Sequence, residues 1–195
     1  MVQRANIWLI RHGETAWSLS GQHTGKTELE LTARGQVMAK AIGRQLAGRK
    51  FALVLSSPRA RARETCRLAG YADVVQVDDD LQEWNYGAYE GRTGTDIAKE
   101  IPGWSIWRDG VRDGETIDQV AARAELVIKR AIESTGDVAL FAHGHILRIL
   151  AARWLGLPAE GGRFFALDAG SISILGYEHD LQVLSEWNLV PDRGH

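Results

Sequence analysis

The sequence predicts an α/β fold, a three-layer α/β/α sandwich built on a mostly parallel central sheet. Two observations carry that expectation. Short apolar runs of strand length alternate along the chain with amphipathic stretches of helix length. The chain also has the size and balance of one domain, with 195 residues, 45% hydrophobic and 25% charged. Residues 1–195 therefore read as a single domain in which residues 78–114 cover the pocket.

The first strand is residues 6–10, where Ile7-Trp8-Leu9-Ile10 runs into Arg11-His12-Gly13. A polar, glycine-rich loop from Ser18 to Thr27 follows. Between Ala33 and Leu46, residues Ala33, Val37, Ala41, Ile42 and Leu46 share one helical face, with Thr32 as N-cap and Gly48 as stop. Phe51 to Leu55 is a continuous apolar run, the pattern of a buried strand. Pro58 suits the first turn of a helix from Arg59 to Leu68. Val74 to Val77 gives a third strand. The irregular stretch after it carries a short helix near Gly94 to Glu100.

Glu115 to Glu133 is the longest helical pattern, with Val120, Ala124, Val127 and Ala131 at core spacing. Asp137 to Phe141 is a fourth strand, and Ile146 to Leu155 a helix stopped by Gly156 and Pro158. Ser171 to Leu175 alternates as a strand, and Leu181 to Leu184 pairs with its end. Right-handed crossovers then bring the strand carboxyl ends to one edge.

The net charge of −2 argues against a nucleic-acid surface and against an anionic membrane surface. No apolar run approaches the length of a membrane span. The opening residues Met1 to Asn6 lack the apolar region of a signal peptide. A cytoplasmic location is expected. The one cysteine, Cys66, has no internal disulfide partner and reads as a small core residue. His179 and His195 read as surface residues, and the oligomeric state is left open.

The sheet edge carries the chemistry. The first strand delivers Arg11 and His12, the second Ser57-Pro58-Arg59, and the fourth Ala142-His143-Gly144-His145. Two histidines, two arginines and the N–H groups of two helix starts would then surround one anion. Phosphoryl transfer needs those parts, because charge spreads over the equatorial oxygens of the transferring group. It also needs a proton donor for the leaving oxygen, and Glu83 is the candidate, flanked by aromatics that would favour its protonated form. These residues leave open whether His12 or His143 is the nucleophile.

Arg11-His12-Gly13-Glu14-Thr15, Ser57-Pro58-Arg59, Glu83 with Gly87, Glu90 and Gly91, and Ala142-His143-Gly144 together resemble the histidine phosphatase superfamily, which includes the cofactor-dependent phosphoglycerate mutases. The resemblance runs in order over nearly the whole chain. It implies a phosphoglycerate mutase-like fold and phosphorylation of His12. It implies that Arg11, Arg59 and His143 bind the phosphoryl group, that Glu83 is the proton donor and later the base, and that neither metal nor cofactor is required. The mutases typically carry Glu-Arg-His-Tyr-Gly where this chain has Glu83-Trp84-Asn85-Tyr86-Gly87, and they need longer inserts than Glu90 to Glu115 provides. Both departures favour water as the acceptor.

Gly21 to Gly25, Trp107 to Gly110 and Leu167 to Ser171 are similar to the branch holding sedoheptulose bisphosphatase and actinobacterial acid phosphatases. That similarity implies a sugar phosphate or related small metabolite. The run from Leu157 to Phe164 is shorter here than in the bisphosphatases.

Gln22, Thr24, Gly25, Tyr86 and Gly144 are the candidate substrate contacts. Glu14 and Thr15 are expected to hold the loop. His145 reads equally as a site residue and as one that orients backbone or faces solvent, and His23 reads at least as readily as a solvated loop residue as a substrate contact. Arg61, Arg63 and Arg67 read as a solvated helix face, with Arg63 the best placed to turn inward. Trp8 and Trp154 read as core, whereas Trp84 and Trp107 read as pocket walls and Trp104 as packing. The expected activity is that of a phosphomonoesterase with an optimum on the acidic side of neutral. Its rivals are a mutase, a metal-dependent hydrolase on His12, His143 and His145, and a non-catalytic binder of phosphorylated ligands.

Overall fold

In the computed structural model, which describes residues 4–191, six strands form one sheet in the order β3-β2-β4-β1-β5-β6. They are β1 (Ile7–Arg11), β2 (Leu53–Ser56), β3 (Val75–Val77), β4 (Val138–Ala142), β5 (Ile172–Glu178) and β6 (Leu181–Leu189). The first four are mutually parallel, while β5 runs antiparallel to β1 and β6 antiparallel to β5. The alternation of strand side chains sorts the core into two layers. Ile7, Leu9, Val138, Leu140 and Ala142 face one cluster, and Ile10, Ala139 and Phe141 face the other.

Helix α2 (Ala33–Leu46) and helix α3 (Ala60–Leu68) cover the second cluster through Ile42, Leu46 and Cys66. Helix α6 (Ile117–Ile132) and helix α7 (Gly144–Trp154) cover the first. Val120, Ala124, Val127 and Ala131 are all buried, as their spacing requires. The chain leaves β1 for α2 on one face and leaves adjacent β4 for α7 on the other. That divergence opens a crevice at the carboxyl ends of β1 and β4, where open α/β sheets bind ligands. No helix among the described residues is long and apolar enough to cross a membrane.

Several boundaries differ from the sequence reading for identifiable reasons. A short helix α1 (Ala16–Ser20) interrupts the expected loop; Thr15 and Ser18 form a reciprocal capping box, and Gly21 closes the helix with φ 79°. It buries none of its residues, so it has no apolar stripe to read. The buried face of α2 is Gly35, Met38, Ala39, Ala41, Ile42 and Leu46, while Ala33 and Val37 are exposed. A Cβ on Gly13 would strike the backbone of Gly35, and one on Gly35 the backbone of Glu14. That close approach turns the helix away from the face its apolar residues suggested. Strand β6 runs to Leu189, beyond the expected Leu184. Residues 78–114 carry only short helices, including α4 (Gly94–Glu100) and α5 (Ile106–Asp109).

Candidate active site

The turn after β1 sets His12. Its backbone N–H donates to Ala142 O (3.0 Å) and its carbonyl accepts from Gly170 N (2.9 Å). Beside it, Gly13 N donates to Thr65 Oγ1 (3.0 Å) on α3, while Thr32 Oγ1 donates to Glu14 Oε1 (2.8 Å) at the start of α2. The loop is thus pinned from both helices of one face. His12 Nδ1 lies 2.7 Å from Gly13 O; a carbonyl can only accept, so Nδ1 carries the proton and Nε2 keeps its lone pair. Burial, then the charges of Arg61 and Arg11, hold the His12 ring well below its ordinary value of 6.5, so it stays neutral.

His143 caps α7 and packs edge-on to His12, with ring centroids 5.1 Å apart. Arg61 Nε donates to His143 Nδ1 (3.1 Å). An arginine cannot accept, so the His143 proton is on Nε2, which points at Ser57 Oγ 2.7 Å away. Burial and the same arginine hold His143 neutral as well. Arg61 itself is fully buried and donates three further bonds, from Nη1 to Thr27 O and from Nη2 to Thr24 O and Gly25 O. It therefore ties the substrate-side loop to the second histidine.

Glu83 is buried at the start of α7. Its carboxylate accepts backbone N–H bonds from Trp84 (2.9 Å), His145 (3.0 Å) and Ile146 (3.0 Å). The sequence reading surrounds Glu83 with aromatics alone; the helix start supplies these polar partners. His12, Arg11, Glu83 and Gly144 line one cavity of about 210 Å³, with room for a compact ligand. Arg11 also donates to Leu167 O, and Arg148 stands over the Trp107 ring at 4.5 Å. Among the described residues Glu83 is the single acidic one lining this cavity, against Arg11 and Arg148, so its field favours an anion. Among the described residues there is no cluster of three His, Cys, Asp or Glu side chains placed to hold a metal ion.

The comparisons with known proteins bear directly on this constellation. The family model of the histidine phosphatase superfamily (branch 1) matches residues 7–190. The chain belongs to the histidine phosphatase superfamily. An acid phosphatase of Mycobacterium tuberculosis is 41% identical over 188 residues, covering 94% of this chain and 92% of that protein. The sedoheptulose 1,7-bisphosphatase of Saccharomyces cerevisiae is 34% identical over 236 aligned residues, covering 88% of this chain and 87% of that protein. A solved structure of a Mycobacterium tuberculosis open reading frame product superposes with a TM-score of 0.91 at 40% identity, covering 95% of this chain and 98% of that one. This histidine phosphatase is accordingly a phosphoric monoester hydrolase.

Against that frame, the structure brings Arg11, His12, Glu83, Tyr86, Gly144, Gln22 and Thr24 to the cavity wall. Three expected residues stand elsewhere. His143 is fully buried beside His12 and does not line the cavity, because its Nε2 is turned to Ser57 Oγ (2.7 Å). Gly25 does not line the cavity. Its N–H donates to the Glu90 carboxylate (2.9 Å), and a Cβ there would lie 2.6 Å from Trp84 O, so this glycine serves close packing. Arg59 also lies outside, because it is the N-cap of α3 and its side chain leaves the helix toward Glu28 (3.1 Å) and Gln82 (2.6 Å). Its guanidinium lines an adjoining hollow of about 260 Å³ that shares Glu83 with the main cavity.

Sequence reasoning missed Arg148, on the cavity wall, and Arg61, read there as solvated. The signal was present: Arg61, Ala62, Thr65 and Cys66 form the buried face of α3, and the small residues of that face mark its side of the helix. Arg63 is exposed and lines a groove of about 520 Å³ between α2 and α3 that holds neither histidine. Glu14, through Thr32, and Thr15, through its cap, hold the loop as expected. Cys66 is buried, and burial pushes its thiol up to about 12. Trp154 is core, Trp8 is half-buried, and Trp84 is fully buried, with its Nε1 donating to Glu115 O (2.8 Å). Trp17 on α1 is the tryptophan at the cavity wall, while Trp107 backs it. His145 and His23 both line the cavity. His179 is exposed, and His195 lies outside the described residues.

Proposed function

We propose that this histidine phosphatase is a metal-independent phosphomonoesterase that hydrolyses a small phosphorylated metabolite, a sugar phosphate or bisphosphate, through a phosphohistidine on His12. The observation that carries the reading is the His12 ring. Its Nδ1–H is committed to Gly13 O, which leaves a neutral Nε2 as nucleophile inside a cavity of positive potential.

In the first half-reaction Nε2 bonds to phosphorus as the ester P–O bond breaks, and the Glu83 carboxyl gives its proton to the leaving oxygen. In the second, Glu83 takes a proton from water, the water oxygen bonds to phosphorus, and the N–P electrons return to His12. Arg11 bears the charge on the phosphoryl oxygens, joined by the His143 Nε2–H when it turns from Ser57 Oγ to the bound phosphoryl group. Arg61 holds His143 in the donor tautomer and adds a fixed charge beside both rings. Arg59, in the adjoining hollow, adds positive potential near His143 rather than a direct contact. The yeast bisphosphatase and the mycobacterial acid phosphatase support hydrolysis over internal transfer, and the cavity volume of about 210 Å³ supports a small substrate. Cytoplasmic residence belongs to the same proposal.

The test is phosphate release from sugar phosphates, glycerate phosphates and an aryl phosphate with chelator present, for wild type and His12→Ala. Release that survives chelation and disappears in the variant is the expected result. Release that needs metal or persists without His12 overturns the mechanism. Transfer between positions of a glycerate phosphate, stimulated by a bisphosphate, assigns the mutase reaction instead.

A further inference from the structure

Beyond the phosphoryl-binding end, the cavity wall holds an imidazole that the mechanism does not use. His145, the second residue of α7, donates its backbone N–H to Glu83 Oε2 (3.0 Å) while its ring lines the cavity. The ring is clamped on several sides. Trp107 lies 5.1 Å away, Tyr86 5.7 Å and Trp84 5.9 Å, centroid to centroid, and His23 stacks on Tyr86 at 4.7 Å with 17° between planes.

The hydrogen bonding fixes which nitrogen carries the proton. Tyr86 Oη lies 2.7 Å from His145 Nδ1. Burial raises the Tyr86 hydroxyl well above its ordinary value of 10.0, so it keeps its proton and needs an acceptor. Among the described residues His145 Nδ1 is the hydrogen-bond partner within reach of this hydroxyl, at 2.7 Å. Tyr86 therefore donates to Nδ1, and the neutral ring carries its hydrogen on Nε2. Among the described residues Nε2–H has no hydrogen-bond partner, and it is not among the atoms sealed from solvent. A donor held in this way, next to the proposed proton donor Glu83, meets the part of the ligand that departs.

We propose that His145 is a specificity-determining residue whose Nε2–H, oriented by Tyr86, donates to an oxygen on the carbon skeleton of the leaving group, selecting phosphorylated polyols or sugars over phosphate esters without such an oxygen. The proposal rests on the phosphatase reading above. A site built to hydrogen-bond a substrate oxygen rejects analogues that lack it, because a donor covered by the bound ester is otherwise left unpaired.

The experiment compares kcat/KM on glycerol phosphate and on phenyl phosphate for wild type, His145→Phe, His145→Gln and Tyr86→Phe, with His12→Ala as the chemistry control. His145→Phe should lose about 10- to 100-fold on glycerol phosphate, mostly in KM, and at least about fivefold less on phenyl phosphate. Tyr86→Phe releases the tautomer and should shift the ratio the same way by a smaller factor. His145→Gln, which keeps an amide N–H near the Nε2 position, should recover most of the selectivity. Equal losses on both esters, or a ratio unmoved in every variant, overturn the proposal while leaving the phosphatase reading standing. A wild type that hydrolyses phenyl phosphate through His12 but ignores glycerol and sugar phosphates overturns the proposal alone. Activity on either ester that persists in His12→Ala overturns the phosphatase reading.

Discussion

Replacement of Arg61 by methionine tests the central physical claim about this site, that one buried guanidinium both ties down a loop and sets the protonation of two histidines. Arg61 donates to His143 Nδ1, Thr27 O, Thr24 O and Gly25 O. A bond to a charged group contributes roughly 1.5–3 kcal/mol, and acceptors left unpaired in the interior add a desolvation cost. Relief of a buried charge offsets part of that, so the net loss should be about 3–5 kcal/mol. In a chain of this size that lowers Tm by roughly 10 °C. Arg59→Met is the control. Its ion pair joins a side chain 19% exposed to Glu28, 52% exposed, so it should cost no more than about 1 kcal/mol.

The kinetic consequence has a definite sign. In the proposed mechanism His12 must be neutral to attack, and its proton affinity is lowered first by burial and next by Arg61. Removing the charge raises the His12 value, so the acid limb of the kcat/KM profile moves to higher pH. Without its donor, His143 Nδ1 is free to carry the proton, and Nε2 loses the hydrogen that it now turns to Ser57 Oγ and that the proposed mechanism lends to the phosphoryl group. Loss of one such donor lowers kcat by about 100- to 1,000-fold. Arg61→Lys keeps the charge but not the fork, so it should retain the acid limb near its wild-type position while losing stability. Urea melts together with pH–rate profiles on an aryl phosphate read all of this. An Arg61→Met variant as stable as Arg59→Met, with an unmoved acid limb, refutes the reasoning.

Other expectations follow from the same contacts. Burial depresses His12, His143 and His145 below 6.5 in the folded chain, so below that pH the unfolded chain binds protons that the folded chain refuses. Stability should be fully present above about pH 6.5 and fall as the pH drops toward the depressed values, by up to ~1.4 kcal/mol per pH unit for each ring; urea midpoints that stay constant from pH 7.5 to 5.5 contradict it. Catalysis, by contrast, should persist below pH 6.5, because the same depression keeps His12 neutral there. Glu83→Gln should slow alkyl phosphates by about 100- to 10,000-fold and aryl phosphates, with their better leaving groups, much less; parallel losses would remove Glu83 from the proton-donor role. Gly35→Ala should cost about 1–3 kcal/mol and lower turnover, since its Cβ meets the Glu14 backbone behind His12; a thermal melt matching wild type would show that α2 can shift freely.

The fold class was legible because it depends on periods. Val120, Ala124, Val127 and Ala131 repeat at the helical spacing, and the runs at residues 6–10, 51–55 and 137–141 have strand length. The carboxyl ends of those strands carry Arg11, His12 and His143, so the site's edge was legible as well. The orientation of α2 was not, because it follows from backbone contact between Gly13 and Gly35, residues with no side chain to form a pattern. Helix α1 was not legible either, since it buries nothing and rests on its caps.

What the sequence determined by itself is the candidate set of site residues, together with a sheet that delivers its strand ends to one edge, since residue type and hydrophobic period are local properties. The tertiary structure decided the protonation of that set and the choice among its arginines. Which nitrogen of His12, His143 or His145 bears hydrogen depends on a partner up to 82 residues away in the chain, as with Arg61 and His143. Arg59 and Arg61 differ in sequence by two positions, but Arg59 is the N-cap of α3, with extended backbone (ψ 136°), whereas Arg61 lies inside the helix on its buried face. That change of backbone sends one guanidinium to Glu28 and Gln82 and buries the other against His143.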